Sequence, residues 1–183
     1  MERLGGKRMD FLDIAKTRQS CRSYDGQRAV EGEKLDLILE AARLAPSACN
    51  GQPYHVTVCR GEGKNRIIRH TQGMGMNKFA TDAPIALVIS EEAYVATAAL
   101  GARAKGIDYR AIDIGIVAAY ITAEAAALGL GTCILGWVDS APIERELGCG
   151  AVKLIITLGY ASEDDVLREK KRKPHEKLFS EFE

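Results

Sequence analysis

The sequence has no closely spaced cysteine pair, no excess of either charge and no long apolar run. The two closest of its five cysteines, Cys49 and Cys59, are ten positions apart, which argues against a zinc site or a disulfide framework. The 25 Lys and Arg residues balance 25 Asp and Glu residues, so general electrostatics do not favour nucleic-acid binding. The most apolar segment, residues 114–123, is too short to span a bilayer. We expect a cytoplasmic protein with reduced cysteines and no metal, nucleic-acid or membrane partner.

The length of 183 residues suits one domain with a sizeable core and is short for two. Residues 1–8 carry no periodic pattern, and Met9 is a natural alternative start. We therefore treat residues 1–8 as a leader or alternative start and residues 9–183 as a single domain.

Hydrophobic spacing predicts helices that alternate with short apolar strands. The predicted helices cover residues 10–18, 33–45, 65–70, 92–105, 111–128 and 142–147. The predicted strands cover residues 55–59, 84–90, 132–138 and 152–160, and the second of these is apolar enough to be buried on both faces. Residues 61–64 are predicted to form a turn. Residues 73–79, with two glycines and two methionines, are predicted to form a mobile loop and are a candidate lid.

The helix predicted over residues 111–128 is apolar on nearly all sides. One face carries Ile112, Gly115, Ile116, Ala119, Tyr120, Ala123 and Ala127. The other carries Ile114, Val117, Ile121 and Ala125. Such a helix is buried on most sides, either because it runs through the centre of the fold or because a second subunit covers it. We expect both.

The connection at residues 45–54 carries the side chains best suited to a planar ligand. Pro46 ends the preceding helix, because the residue before a proline is displaced from the α region. Ser47, Asn50 and Gln52 offer neutral donors and acceptors that suit the edge of a heterocycle. The same residue types also dominate surface turns, so this stretch alone is consistent with either structure.

Basic residues occur near both ends of the chain in an alternating pattern. Arg18, Ser20 and Arg22 share one side of an extended segment, where two guanidinium groups bracketing a hydroxyl suit a phosphate. Near the C-terminus, Lys170 and Arg172 are also two positions apart. Each group taken alone is equally consistent with a solvated charged surface.

The glycines of residues 129–136 do not form a nucleotide-binding loop. They lack the Lys-Ser/Thr pair of a P-loop and the third glycine of a dinucleotide fingerprint. Gly129 instead ends the long helix, and Gly136 allows the backbone to approach a ligand closely.

Four separated motifs together resemble the FMN-dependent nitroreductase family. They are the Arg18–Tyr24 segment, Ala-Pro-Ser-x-x-Asn-x-Gln-Pro-aromatic at 45–54, Gly-Leu-Gly-Thr-Cys-x-x-Gly at 129–136, and Leu-Gly-Tyr at 158–160 followed by Lys-x-Arg-x-Pro at 170–174. The resemblance covers nearly the whole chain from Met9 onward, in the family's order and approximate spacing. It implies an α+β fold with a mainly antiparallel central sheet flanked by helices. It also implies an intertwined homodimer with FMN at the subunit interface.

The resemblance also implies which residues hold the cofactor. Arg18, Ser20 and Arg22, joined by Lys170 and Arg172, bind the phosphate and ribityl end. Pro46 and Ser47 lie along the isoalloxazine ring, and the backbone at Leu135 and Gly136 lies near its N5 atom. The remaining two, Asn50 and Gln52, reach the flavin that is bound mainly by the partner chain.

The activity that the resemblance implies is a ping-pong oxidation of NAD(P)H followed by two-electron reduction of a nitroaromatic, quinone or similar acceptor. No catalytic side chain is required, and the three histidines form no recognisable triad. Tyr54 stands where many members have Trp, and Ala48 and Cys49 replace a small polar pair. Tyr54, Phe79 and Trp137 are candidate walls of the substrate pocket, although each is equally a candidate core residue.

The sequence is also consistent with two other functions. One keeps the fold and changes the chemistry to reductive dehalogenation, flavin fragmentation or oxidation of peptide heterocycles. The other is a flavin-free binding protein whose basic tail meets an acidic partner.

Overall fold

The computed structural model of the chain describes residues 10–183, and its centre is a four-stranded sheet. The strands are β1 (Tyr54–Arg60), β2 (Ile85–Glu91), β3 (Gly131–Leu135) and β4 (Val152–Gly159), in the order β1-β2-β4-β3. Every neighbouring pair is antiparallel, with Leu87 of β2 opposite Val58 on one side and Ile156 on the other. The expected α+β fold with a mainly antiparallel sheet is therefore confirmed. The predicted leader, residues 1–8, lies outside the described residues.

Six helices surround the sheet in the described part of the chain. They are α1 (Phe11–Thr17), α2 (Gly32–Arg43), α3 (Gly61–Arg69), α4 (Ala96–Lys105), α5 (Tyr109–Ala127) and α6 (Ser140–Leu147). Aspartate side chains cap the start of two of these helices. The Asp10 carboxylate accepts the Asp13 backbone N–H at 2.8 Å and caps α1, and Asp108 caps α5 through the Arg110 N–H at 3.1 Å. No helix among residues 10–183 has both the length and the apolar content needed to cross a membrane.

The core has two layers, one on each side of the sheet. Ile85, Leu87 and Ile89 of β2 pack with α2 and α5, whereas Ala86 and Val88 pack with α3 and α6. Alternate residues of a strand point to opposite faces, so a strand covered on both sides must be apolar throughout. This confirms the buried strand predicted over residues 84–90.

Three element boundaries differ from the sequence prediction by three residues or more. The turn predicted at residues 61–64 is wrong, because α3 begins at Gly61. Its Lys64 is buried and donates from Nζ to the Thr81 carbonyl at 2.6 Å, so a charged residue occupies a core-facing helical position. The helix predicted from residue 92 begins at Ala96, because the Glu92 N–H pairs with the Pro53 carbonyl and prolongs the sheet. The strand predicted to residue 138 ends at Leu135, where its pairing with β4 stops.

Candidate functional site

The N-terminal segment, defined here as residues 18–25, lies along the edge of β3. Ser20 forms a parallel bridge with Thr132, whose carbonyl accepts the Cys21 N–H at 2.8 Å. The contact is so close that a Cβ on Gly131 would lie 2.8 Å from the Cys21 sulfur. Only glycine at position 131 therefore allows the segment to pack here without displacement.

The C-terminal strap, defined here as residues 165–172, lies on the same segment. Lys170 Nζ donates to the carbonyl of Arg18, 152 positions away in the sequence. Arg168 donates from its guanidinium to the Ser20 carbonyl. The N-terminal segment and the C-terminal strap therefore meet, and the basic residues at positions 18, 22, 170 and 172 share one region.

This region is a cluster of positive charge, consisting of Arg18, Arg22, Arg168, Lys170 and Arg172. Burial, together with the charges of Arg172 and Arg18, lowers the pKa of Lys170. Burial raises the pKa of the Cys133 thiol beneath the cluster, and the charges of Arg22, Arg18 and Arg168 oppose that rise. Among residues 10–183, Arg168 is the one member with a carboxylate partner, Asp165 at 2.9 Å.

The chemistry of the cation cluster fits an anion such as a phosphate. Like charges brought together raise the free energy of the folded protein, and an opposite charge among them lowers it. Guanidinium groups bind phosphate oxygens with paired, charge-assisted hydrogen bonds. The phosphate of FMN, which the sequence motifs imply, therefore matches this donor set.

The connection at residues 45–54 holds three non-glycine residues in the left-handed region. Their φ angles are +51° at Cys49, +52° at Asn50 and +45° at Gln52. Such a conformation costs on the order of 1 kcal/mol or more per residue and persists where surrounding contacts enforce it. Here the Ser47 hydroxyl accepts the Gln52 N–H at 2.9 Å, and the Gln52 side-chain amide donates to the Asn50 carbonyl at 3.0 Å. Hydrogen bonds made by its own polar side chains thus hold the loop in this shape.

A buried carboxylate, Asp113 of α5, supports this loop from below. It is 2% exposed, and its Oδ1 accepts the Ala48 N–H at 3.0 Å. Its Oδ2 and the hydroxyl of Tyr54 are both buried without a hydrogen-bond partner among the described residues. Burial, together with the nearby Asp113 charge, raises the pKa of Tyr54.

The strained loop (residues 45–54) contacts α5 near its start, whereas Arg18 of the cation cluster lines cavities farther along the helix, from Gly115 to Ala126. Asp113 is close to the start of the helix, whereas Ala126, thirteen positions later and about 20 Å along the axis, lines a cavity beside Arg18. That cavity measures about 240 Å³, and a second one, of about 260 Å³, lies between α1 and α5. Neither cavity includes a residue of the 45–54 connection. Within one chain, the 45–54 connection and the cation cluster therefore do not line a common cavity among these two.

The other predicted site residues occupy different environments. Leu135 is buried at the end of β3, whereas Gly136 is exposed, with no atom within 4 Å of the position of a Cβ. Trp137 is 52% exposed and its indole nitrogen faces Gly73. Phe79 and Tyr54 are partly buried against core clusters. The role of these three aromatic side chains as pocket walls stays a prediction, and Pro46 is an exposed residue at the start of the connection.

Three residues of the site lie outside the sequence motifs: Asp113, Asp165 and Arg168. A fourth, Gln19, lies inside the Arg18–Tyr24 motif, but the motif assigns it no role. Asp113 leaves a trace as a carboxylate inside an apolar helix, and Arg168 precedes Lys170 by the same two-residue step that separates Lys170 from Arg172. The region described contains no grouping of three or more His, Cys, Asp or Glu side chains able to hold a metal ion.

Comparison with known proteins decides the family. The sequence model of the nitroreductase family matches residues 15–75 and 71–160, most of the described chain. The chain belongs to the nitroreductase family. The cation cluster and the strained loop are thus features of a nitroreductase-family member.

Individual known proteins resemble the chain over most of its length. A Methanothermobacter thermautotrophicus protein provisionally named NADH dehydrogenase/NAD(P)H nitroreductase is 29% identical over 88% of this chain and 83% of its own length. An iodotyrosine dehalogenase 1 homolog of Caenorhabditis elegans is 25% identical over 92% of this chain, which spans 60% of that protein. The solved structure of an FMN-dependent nitroreductase from Clostridium difficile R20291 is 30% identical, with a TM-score of 0.69, covering 92% of this chain and 98% of that one.

Proposed function

We propose that the protein is an FMN-dependent NAD(P)H oxidoreductase that reduces a nitroaromatic, quinone or similar acceptor by two electrons in a ping-pong cycle. The observation that carries the proposal is the meeting of basic residues from both ends of the chain, with one carboxylate partner among five cations. The names of the relatives, an NAD(P)H nitroreductase and an FMN-dependent nitroreductase, support the cofactor and the electron donor.

The cation cluster would hold the phosphate end of FMN. Arg18, Arg22, Lys170 and Arg172, with Ser20 between the first two, carry this role, and Arg168 joins them. A charge-assisted hydrogen bond contributes about 1.5–3 kcal/mol, whereas micromolar affinity corresponds to about −8 kcal/mol. Several convergent cations are therefore needed.

We propose that the ring end of the site is completed by a second copy of the chain. Pro46, Ser47, Asn50 and Gln52 belong to the strained loop, which lines neither of the cavities beside Arg18. The outer face of α5 is apolar and exposed at Ile112, Gly115, Ala119 and Tyr120. An antiparallel pairing of two such faces would bring the strained loop of one chain to the cation cluster of the other, in the intertwined homodimer that the sequence motifs imply.

Bound FMN would supply the redox chemistry, accepting a hydride from NAD(P)H and delivering two electrons to the acceptor. The protein's own residues would position and stabilise it. The positive cluster lowers the free energy of added negative charge, as do backbone N–H groups near Leu135 and Gly136. The open space at Gly136 leaves room for a ring to approach the backbone.

A visible absorption spectrum of the purified protein tests this function. We expect a yellow protein that loses its flavin absorbance on anaerobic addition of NADH and recovers it with a nitroaromatic. A colourless protein that retains no flavin absorbance after incubation with FMN and removal of the free flavin would contradict the proposal and favour a flavin-free binding protein with an acidic partner.

Reductive dehalogenation is the second candidate, favoured by the similarity to the dehalogenase homolog over 92% of the chain. Halide release from an iodinated phenol, without turnover of nitroaromatics, would support it over the first.

We further propose that residues 9–183 act as one FMN-binding domain in the cytoplasm. All five cysteines are free, three of them buried, as is typical of proteins in a reducing compartment.

A further inference from the structure

Asp165 is a buried carboxylate at the joint, defined here as the contact between the C-terminal strap (residues 165–172) and the N-terminal segment (residues 18–25). The Asp165 side chain is 3% exposed. Oδ1 accepts the backbone N–H of Arg22 at 3.2 Å and the Arg168 guanidinium at 2.9 Å, and Oδ2 accepts the side-chain amide of Gln19 at 3.2 Å. Burial alone would raise the pKa of Asp165, but the Arg168 guanidinium and the Arg22 backbone N–H hold that pKa below its ordinary value. Asp165 is therefore ionised at neutral pH.

Gln19 completes the joint from the opposite side. Its amide nitrogen donates to the Val166 carbonyl at 3.1 Å, and its Oε1 accepts the backbone N–H of Arg168 at 3.0 Å. Where the strap bonds to Arg18 and Arg22, it uses their backbone atoms. The two guanidinium groups take no part in the joint.

We propose that Asp165 is a positioning residue that assembles the cation cluster by holding the C-terminal strap against the N-terminal segment. Through this joint, Arg168, Lys170 and Arg172 share one region with Arg18 and Arg22 before any ligand arrives. The inference rests on the proposed function, because the anion concerned is the phosphate of FMN.

An effect of charge alone and a positioning role predict opposite changes in phosphate affinity when the Asp165 carboxylate is removed. Asp165→Asn takes a negative charge away from a cationic site, which by Coulomb's law strengthens phosphate binding. A positioning role predicts weaker binding. The asparagine side chain lacks the negative charge that pairs with Arg168. Its NH₂ group is also a donor and cannot accept the hydrogen bond from the Gln19 amide. The sign of the change therefore separates the two explanations.

Equilibrium titrations of the full chain with FMN and with riboflavin, which lacks the phosphate, test the proposal. We expect Asp165→Asn to weaken FMN binding by about tenfold or more and riboflavin binding by less than about twofold, as for one lost charge-assisted contact. Gln19→Leu breaks the same joint without altering the charge and should show the same FMN-specific loss. Asp164→Asn, at the exposed neighbouring position, is the matched control and should change neither affinity.

Amide hydrogen exchange in the flavin-free protein provides an independent readout. The backbone N–H groups of Arg22 and Arg168 should exchange faster in Asp165→Asn, whereas that of the core residue Ile156 should not. Unchanged or tighter FMN binding, or an equal loss of FMN and riboflavin, would overturn the positioning role. A wild-type protein that binds neither flavin would contradict the proposed function instead, and the exchange rates alone would then decide whether Asp165 holds the strap.

Discussion

Two buried aspartates support the two ends of the candidate site. Asp113 holds the backbone of the strained loop, and Asp165 holds the joint beside the cation cluster. A buried carboxylate that accepts backbone N–H groups is stable only while those donors stay in place. Both residues therefore fix local geometry in addition to carrying charge.

Substitution of Asp113 should separate its hydrogen-bonding role from its charge. Asp113→Leu leaves the partly buried Ala48 N–H without its acceptor and should lower the free energy of unfolding by about 1–3 kcal/mol relative to Asp113→Asn. The asparagine keeps an oxygen for that N–H and brings a donor into a pocket that contains an unpartnered Tyr54 hydroxyl. Urea unfolding of both variants makes the comparison. Equal stabilities would show that the Ala48 contact contributes nothing.

Thiol labelling should follow burial. Cys49 is exposed in the strained loop, whereas Cys21 is 1% exposed and burial raises its pKa to about 12. Iodoacetamide at neutral pH should therefore modify Cys49 first and leave Cys21 and Cys133 unmodified until the protein unfolds. Mass spectrometry of the native protein identifies the labelled residue, and Cys49→Ser should remove the fast phase. Rapid labelling of Cys21 would contradict the packing of the N-terminal segment on β3.

At the scale of elements, α5 joins the core to the site. Its inner face, with Ile114, Val117 and Ile121, packs on the sheet, while its outer face stays apolar and exposed. Asp113 near its start and Ala126 near its end connect it to the strained loop and to the cavity beside the cation cluster. A partner helix on the outer face would bury the surface that one chain leaves uncovered.

A charge on the outer face of α5 should therefore separate the subunits. Ala119→Glu puts a carboxylate into the proposed interface, where burial without a partner is unfavourable. Size-exclusion chromatography should show a folded monomer that has lost most of its FMN. Ala104→Glu, on the exposed surface of α4, is the matched control and should remain dimeric with flavin. An Ala119→Glu protein that stays dimeric would place the interface elsewhere.

Sequence patterns predict the elements of this protein better than the contacts between them. The strand at residues 84–90 is recognisable because both of its faces are apolar, and the long helix is recognisable from its periodicity. The start of α3 is missed because Gly61 and Gly63 are typical of a turn and because a buried lysine stands where an apolar residue is expected. The bond between Arg22 and Asp165 joins residues 143 positions apart, and no local pattern encodes such a pairing. The left-handed loop at 49–52 is likewise invisible, since none of its three strained residues is glycine.

At the scale of the whole molecule, the N-terminal segment and the C-terminal strap both lie at the sheet edge formed by β3. The N-terminal segment docks on β3, and the strap that follows β4 docks on that segment. This closure concentrates positive charge in a protein whose formal net charge is zero. An uneven distribution of this kind directs an anion to one place on the surface.

The most direct test of this account is an FMN titration of the double variant Arg18→Ala/Arg172→Ala beside the wild-type protein. The wild type should bind one FMN per subunit. The double variant should remain dimeric and lose about two to four orders of magnitude in FMN affinity, the equivalent of two charge-assisted contacts. Retention of stoichiometric FMN by the double variant would show that the two ends of the chain do not form the phosphate site.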